Sequence, residues 1–177
     1  MKRVFSVFIA VLLGGFILAN FGHGPVLGQD EKKIEMVNIS LKDLLKHIEA
    51  QKDKVVVVDL WAFFCPPCKE EFPNLVRLHH TYADKGLVCI SLSLDFNDPL
   101  KKKALNFLRE KKAVFNNYCL EDKLEVAGKH WNFGPLPAVA VYGRDGKLAK
   151  VFKDEDTSKD NFTYKEVEEL VKKLLER

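Results

Sequence analysis

Two cysteines three positions apart carry the densest chemistry in the chain. Cys65 and Cys68 lie in Trp61-Ala62-Phe63-Phe64-Cys65-Pro66-Pro67-Cys68, between an apolar run and an amphipathic one. A cysteine that opens a helix faces unpaired backbone N–H groups and the positive end of the dipole, which lowers its pKa below the free value of about 8.5. Spacing of three on the first helical turn lets Cys68 reach back to Cys65, and Pro66 and Pro67 restrict the loop so that little entropy is lost when a disulfide closes. The expected roles are asymmetric: Cys65, at the exposed end, attacks a disulfide, and Cys68, one turn inside, resolves the mixed disulfide. Two blander readings compete. Half of a zinc site would need further ligands, and no second C-x-x-C follows. An inert structural disulfide is the other.

Exchange at a buried cysteine needs a proton acceptor, and two acids are placed for it. Asp59 is six residues before Cys65, at the end of the apolar run, where burial would raise its pKa. Glu71 is one helical turn after Cys68. The alternatives are a strand-end cap for Asp59 and a solvated helix surface for Glu71; at least one is expected to have a raised pKa. Trp61 would either cover the pair or serve the core. Phe63 and Phe64 are adjacent, so one of them is expected to be exposed beside Cys65, where an aromatic suits an unfolded or protein substrate. His79 falls on an apolar helical face and reads as core, His80 as solvent-facing. Cys89, inside an apolar strand, reads as a small buried hydrophobe. Cys119 ends a short strand, and a Cys89–Cys119 disulfide would need Cα atoms within about 7 Å.

These residues need elements to position them. Val55-Val56-Val57-Val58 is a continuous β-branched run, the pattern of a strand buried on both faces of a helix-covered sheet. Leu87–Leu94, Val114–Leu120 and Ile34–Ile39 read as further strands. Ala138–Tyr142 and Lys147–Phe152 read as a hairpin around Gly143-Arg144-Asp145-Gly146. Helices are expected after Ser40 as cap, over Cys65–Lys85 with a bend at Pro73 and a stop at Gly86, from Asp98 as cap, briefly over Leu124–Ala127 to a stop at Gly128, and after a Thr163/Glu166 capping box. Strands alternating with helices, then a hairpin and a closing helix, predict a single α/β domain with a mixed central sheet flanked by helices, over residues 29–177.

Residues 1–28 are expected to stand apart. Lys2 and Arg3 are followed by an apolar segment from Val4 to Phe21, and the next charged side chain is Asp30. This is the layout of a secretory signal with a cut after Gly28, or of a retained membrane anchor over residues 4–21. Either implies an extracytoplasmic, periplasmic or secreted domain, in an oxidising compartment. The chain has 177 residues, with Lys+Arg 28 against Asp+Glu 25 and 47% hydrophobic residues, an ordinary globular composition that excludes wholesale disorder. The net charge of +3 gives no reason to expect a nucleic-acid partner, and it falls to near zero without Lys2 and Arg3.

The segment Asp59-Leu60-Trp61-Ala62-x-x-Cys65-Pro66-Pro67-Cys68 resembles the active-site segment of the thioredoxin superfamily. With Cys68-Lys69-Glu70-Glu71-Phe72-Pro73 it is similar to the exported TlpA/ResA-like branch of thiol-disulfide oxidoreductases. A second match lies downstream, in Gly134-Pro135-Leu136-Pro137 ahead of the hairpin. The resemblance implies a thioredoxin-like fold and a cis bond at Leu136-Pro137. It implies catalytic roles for Cys65, Cys68, Glu71 and Asp59, and substrate contacts from Trp61, Pro66, Pro67, Leu136 and Pro137. It implies a monomeric protein disulfide reductase that needs no metal or cofactor, acts on disulfide-containing protein substrates, and is re-reduced by a membrane electron donor. Cytochrome c maturation is the family's best-known task. The sequence departs from the pattern after Pro137, where Ala138 stands in place of the commoner Ser or Thr. Two other functions remain in view: a copper or haem chaperone using Cys65, Cys68 and His130, and a peroxidase, whose threonine–proline context before a lone cysteine is absent here.

Overall fold

The computed structural model describes residues 33–153 and 162–177. The strands are β1 (Val37–Ile39), β2 (Val55–Trp61), β3 (Leu87–Ser93), β4 (Asn116–Leu120), β5 (Ala138–Tyr142) and β6 (Leu148–Lys153). They form one sheet in the order β1-β4-β3-β2-β5-β6. The four from β1 to β2 are parallel neighbours, while β5 is antiparallel to both β2 and β6. Helices α1 (Leu41–Glu49), α2 (Pro66–Tyr82), α3 (Asp98–Glu110), α4 (Leu124–Trp131) and α5 (Tyr164–Leu175) complete a single thioredoxin-like α/β unit.

The valine run lies in the middle of that sheet, and every residue of β2 is buried. Because successive side chains leave a strand on opposite faces, β2 feeds two cores. Val55, Val57 and Trp61 pack with Phe72 of α2, Phe107 of α3 and Val167 of α5. Val56, Val58 and Leu60 pack with Leu44 of α1 and Trp131 of α4. At roughly 1.5–3 kcal/mol per buried large apolar side chain, these two layers hold β2, and hence the turn that follows it, in place.

Local signals account for most boundaries. The Ser40 hydroxyl accepts the Asp43 amide at the start of α1, Gly86 ends the turn after α2 at φ 99°, and the Thr163/Glu166 capping box opens α5. Helix α2 continues through Pro73. Several strand ends fall a few residues from expectation, β1 starting at Val37 rather than Ile34 and β4 at Asn116 rather than Val114, and two helix caps differ. The cap of α3 is Asn97 rather than Asp98: its Oδ1 accepts the Leu100 amide at 2.9 Å, and Asp98 and Pro99 fill the first helical positions. Helix α4 runs past Gly128 to Trp131 and stops at Asn132, whose φ is 49°. The Trp131 indole donates to the Tyr142 hydroxyl at 2.7 Å, and this tertiary anchor outweighs the poor helix propensity of one glycine. The leader expected over residues 1–28 lies outside the described residues. Among the described residues no helix is long and apolar enough to cross a membrane.

Candidate active site

Strand β2 hands the chain to a tight turn in which the Cys65 amide donates to the Ala62 carbonyl at 3.0 Å. Cys65 is then the N-cap of α2, and its Sγ accepts the Cys68 amide at 3.2 Å. Pro66 and Pro67 occupy the first helical positions, where a missing N–H leaves nothing unpaired, and both are exposed. The first turn of α2 carries no acidic side chain, so the positive helix end is left for the sulfur. Cys65 and Cys68 form a disulfide with Cα atoms 5.4 Å apart. Cys65 is 7% exposed and Cys68 2%, so the N-cap cysteine is the more accessible of the pair.

A buried aspartate holds this turn. Asp95 follows β3 and is fully buried. Its two oxygens accept the Phe63 amide at 3.1 and 3.0 Å, and Oδ2 also accepts the Ser93 hydroxyl at 2.8 Å. The residue two before Cys65 is thereby tied to the neighbouring strand. Sequence reasoning missed Asp95; the available signal was an aspartate just past an apolar strand that neighbours the strand carrying Asp59. Trp61, expected among the substrate contacts, is completely buried. Its ring packs on Phe72 and Phe107 at centroid distances of 5.0 and 5.3 Å, and its indole N–H points to Ser91 Oγ at 3.4 Å. That surface is used up from beneath, so Trp61 supports the pair's layer rather than facing a reactant. Phe64 is half exposed and lies 6.2 Å from the ring of Phe96, also exposed.

Asp59 sits inside β2, 3% exposed, opposite Ser91 of β3 and Val139 of β5. Its Oδ2 accepts the Tyr164 hydroxyl from α5 at 2.6 Å. Burial pushes its pKa up to about 7; the Tyr164 hydroxyl works against that rise, and the nearby charge of Glu71 adds to it. The expectation of at least one raised carboxyl is met at Asp59. Glu71 is half-buried and accepts a hydrogen bond from Asn74 Nδ2 at 2.9 Å. The two acids therefore feel one another across the α2–β2 junction.

The Leu136–Pro137 peptide bond is cis. Pairing of Ala138 with Leu60 brings Pro137, which is buried, to the end of β2 from which the cysteine turn departs, and Leu136 is half-buried against both cores. Cys89 and Cys119 are buried free thiols, so the disulfide weighed between them is not formed. Burial pushes both thiols up, Cys89 the more strongly, which leaves them as packing. His79 is half-buried, with Leu78 taking the fully buried place beside it, and His80 is exposed. His130 is exposed on α4, which packs on the opposite sheet face from α2, so it is not brought to the pair.

Comparison with known proteins agrees with this geometry. Residues 35–171 match the Redoxin family. The chain is 29% identical over 178 residues to thiol-disulfide oxidoreductase ResA of Bacillus cereus, covering 98% of this chain and 96% of that one. It is 24% identical over 155 residues to sporulation thiol-disulfide oxidoreductase A of Bacillus subtilis, covering 84% and 88%. Among solved structures, the thioredoxin domain of a Bacteroides vulgatus thiol-disulfide oxidoreductase aligns with TM-score 0.55 and 25% identity, over 69% of this chain and 82% of that one. A thiol:disulfide interchange protein of Chlorobium tepidum aligns with TM-score 0.54 and 19% identity, over 71% and 83%. The chain belongs to the Redoxin family and is a TlpA/ResA-like member of the thioredoxin superfamily, a thiol-disulfide oxidoreductase.

Proposed function

We propose that this oxidoreductase is an exported reductase of protein disulfides. The observation that carries the reading is Cys65 at the cap of α2, more exposed than Cys68 and accepting the Cys68 amide at its sulfur. In the reduced enzyme those features favour a Cys65 thiolate. The thiolate attacks one sulfur of a substrate disulfide; a Cys65–substrate bond forms and the other substrate sulfur leaves as thiolate. Asp59 then takes the Cys68 proton, and the Cys68 sulfur attacks Cys65 Sγ. The pair closes to the disulfide seen here and the second substrate sulfur departs, so two electrons have passed to the substrate. Glu71 sets the charge around Asp59. Pro66, Pro67, Leu136 and Pro137 border the path of the substrate strand.

The exposed pair of Phe64 and Phe96 beside Cys65 suits an unfolded polypeptide rather than a small thiol. Residues 1–28 supply the export address, cleaved after Gly28 or kept as an anchor over residues 4–21. Re-reduction falls to a membrane electron donor. Reduction of apocytochrome cysteines before haem attachment is the task that fits a ResA-like reductase in that compartment, and the enzyme acts as a monomer without a bound cofactor.

Insulin-disulfide reduction by the two single-cysteine variants tests the roles. Cys65→Ser is expected to abolish turnover, and Cys68→Ser to accumulate a mixed disulfide at Cys65. Full activity in Cys65→Ser would overturn the mechanism. A strongly oxidising potential for the pair would overturn the direction and make the enzyme an oxidase or isomerase.

A further inference from the structure

Tyr164 opens α5 and is 3% exposed, with its hydroxyl aimed at β2 rather than at solvent. Burying a phenol costs free energy unless its proton is accepted, and phenylalanine would fill the same space without that cost. The acceptor is Asp59 Oδ2, 2.6 Å away. The contact is braced from both sides. The Thr163/Glu166 capping box sets the first turn of α5. One turn on, Glu168 accepts the Tyr82 hydroxyl at 2.7 Å and pairs with Arg77 at 2.8 Å, both from α2. Helix α5 thus touches the strand that carries Asp59 and the helix that carries the cysteines.

Two titratable groups act on Asp59 from the elements around it, Tyr164 from α5 and Glu71 from α2, and Cys89 of β3 in turn feels the charge of Asp59. The facing stretch of β5, Ala138-Val139-Ala140, has none. Burial and the Glu71 charge oppose the carboxylate form, whereas the phenol hydrogen bond favours it. We propose that Tyr164 is a positioning residue for disulfide exchange: its hydroxyl holds Asp59 by Oδ2, turns Oδ1 toward the proton of Cys68, and sets the pH at which that proton can be taken. The inference rests on Asp59 acting as the base. In the resolving step the Cys68 S–H bond breaks and its proton goes to Oδ1. The Cys68 sulfur bonds to Cys65 Sγ, and the Cys65–substrate bond breaks with the substrate sulfur leaving as thiolate.

The test is the pH dependence of the resolving rate, measured with the full chain on a mixed disulfide formed at Cys65. Wild type is expected to gain rate as pH rises through about 7, where Asp59 ionises. Tyr164→Phe should move that limb up by about one pH unit, since one hydrogen bond to the carboxylate is lost. Site-specific 3-fluorotyrosine at position 164, a stronger donor of unchanged shape, should move it down. Asp59→Asn should abolish the limb. If Asp59→Asn abolishes it while both changes at Tyr164 leave it in place, the inference falls and the base assignment stands. If Asp59→Asn keeps the limb, the base assignment falls as well. Should Tyr164→Phe fail to fold, the fluorotyrosine form decides alone.

Discussion

Asp59 and Asp95 invite a direct comparison. Both are buried aspartates on neighbouring parallel strands, one inside β2 and one just past β3, and both flank the cysteine turn. Asp95 meets a backbone N–H and a hydroxyl, the Phe63 amide and Ser93, and accepts a hydrogen bond from each. Asp59 meets the Tyr164 phenol but also the repulsion of Glu71, and desolvation lifts its pKa to about 7. The same side chain at almost the same depth ties down the cysteine turn in one place and has a raised pKa in the other. The structure gives Asp95 two donors and Asp59 one.

The largest expected effect is on stability against pH. Asp59 goes from the ordinary aspartate value of 3.8 to about 7 on folding, so the folded state keeps a proton that the unfolded chain has already lost. Stability is fully present below about pH 4 and declines as pH rises through 7, by on the order of 4 kcal/mol. Asp59→Asn should lack that decline. Urea unfolding of both proteins between pH 4 and 8 reads the difference, and parallel curves would overturn the raised value at Asp59.

The next effect belongs to Asp95. Replacing it by alanine strands the part-buried Phe63 N–H and the Ser93 hydroxyl, which should cost about 3 kcal/mol in urea unfolding. Asp95→Asn, which keeps an acceptor, should cost less than half as much. An equal loss in Asp95→Asn and Asp95→Ala would show that the acceptor is not what holds the turn.

The smallest effect sharpens the contrast through α5. Glu168 accepts from Tyr82 and pairs with Arg77 and Lys172, and these donors, the Tyr82 hydroxyl first, hold its pKa down at about 2. Its stabilisation is present above about pH 4.5 and fades as pH falls toward 2. Glu168→Gln should cost about 1 kcal/mol at pH 7, given that Arg77 and Lys172 are half exposed. Hydrogen exchange should quicken in α5 and leave the Phe63 amide, tied to Asp95, unchanged. Equal loosening at Phe63 would show that the two acids share one support.

The cysteine turn and the sheet were legible because their signals are local: a β-branched run, a cysteine spacing, and glycine or hydroxyl caps within a few residues. Asp59 could be singled out by its six-residue distance to Cys65 on the same strand–turn path. Its partner could not, because Tyr164 is 105 positions away and reads as one more apolar residue on the buried face of α5. Asp95 is 32 positions from Phe63 and was hidden for the same reason. The end of α4 was misplaced because a local stop signal at Gly128 competed with a tertiary bond from Trp131. Trp61 was legible as a large aromatic beside the pair, but its facing depends on Phe107, which arrives from α3.

The reach of the Asp59–Tyr164 contact also bears on the order of assembly. Strand β2, the cysteine turn and α2 can form from one continuous stretch, whereas the phenol belongs to the last helix of the chain. During synthesis from the N-terminus the two thiols are made long before the hydroxyl that tunes the acid beneath them. Loop closure over such a separation comes late in folding. A nascent chain therefore has a cysteine pair that can join and exchange disulfides before it has a site whose proton transfer is set, and the docking of α5 is the event that turns the first into the second.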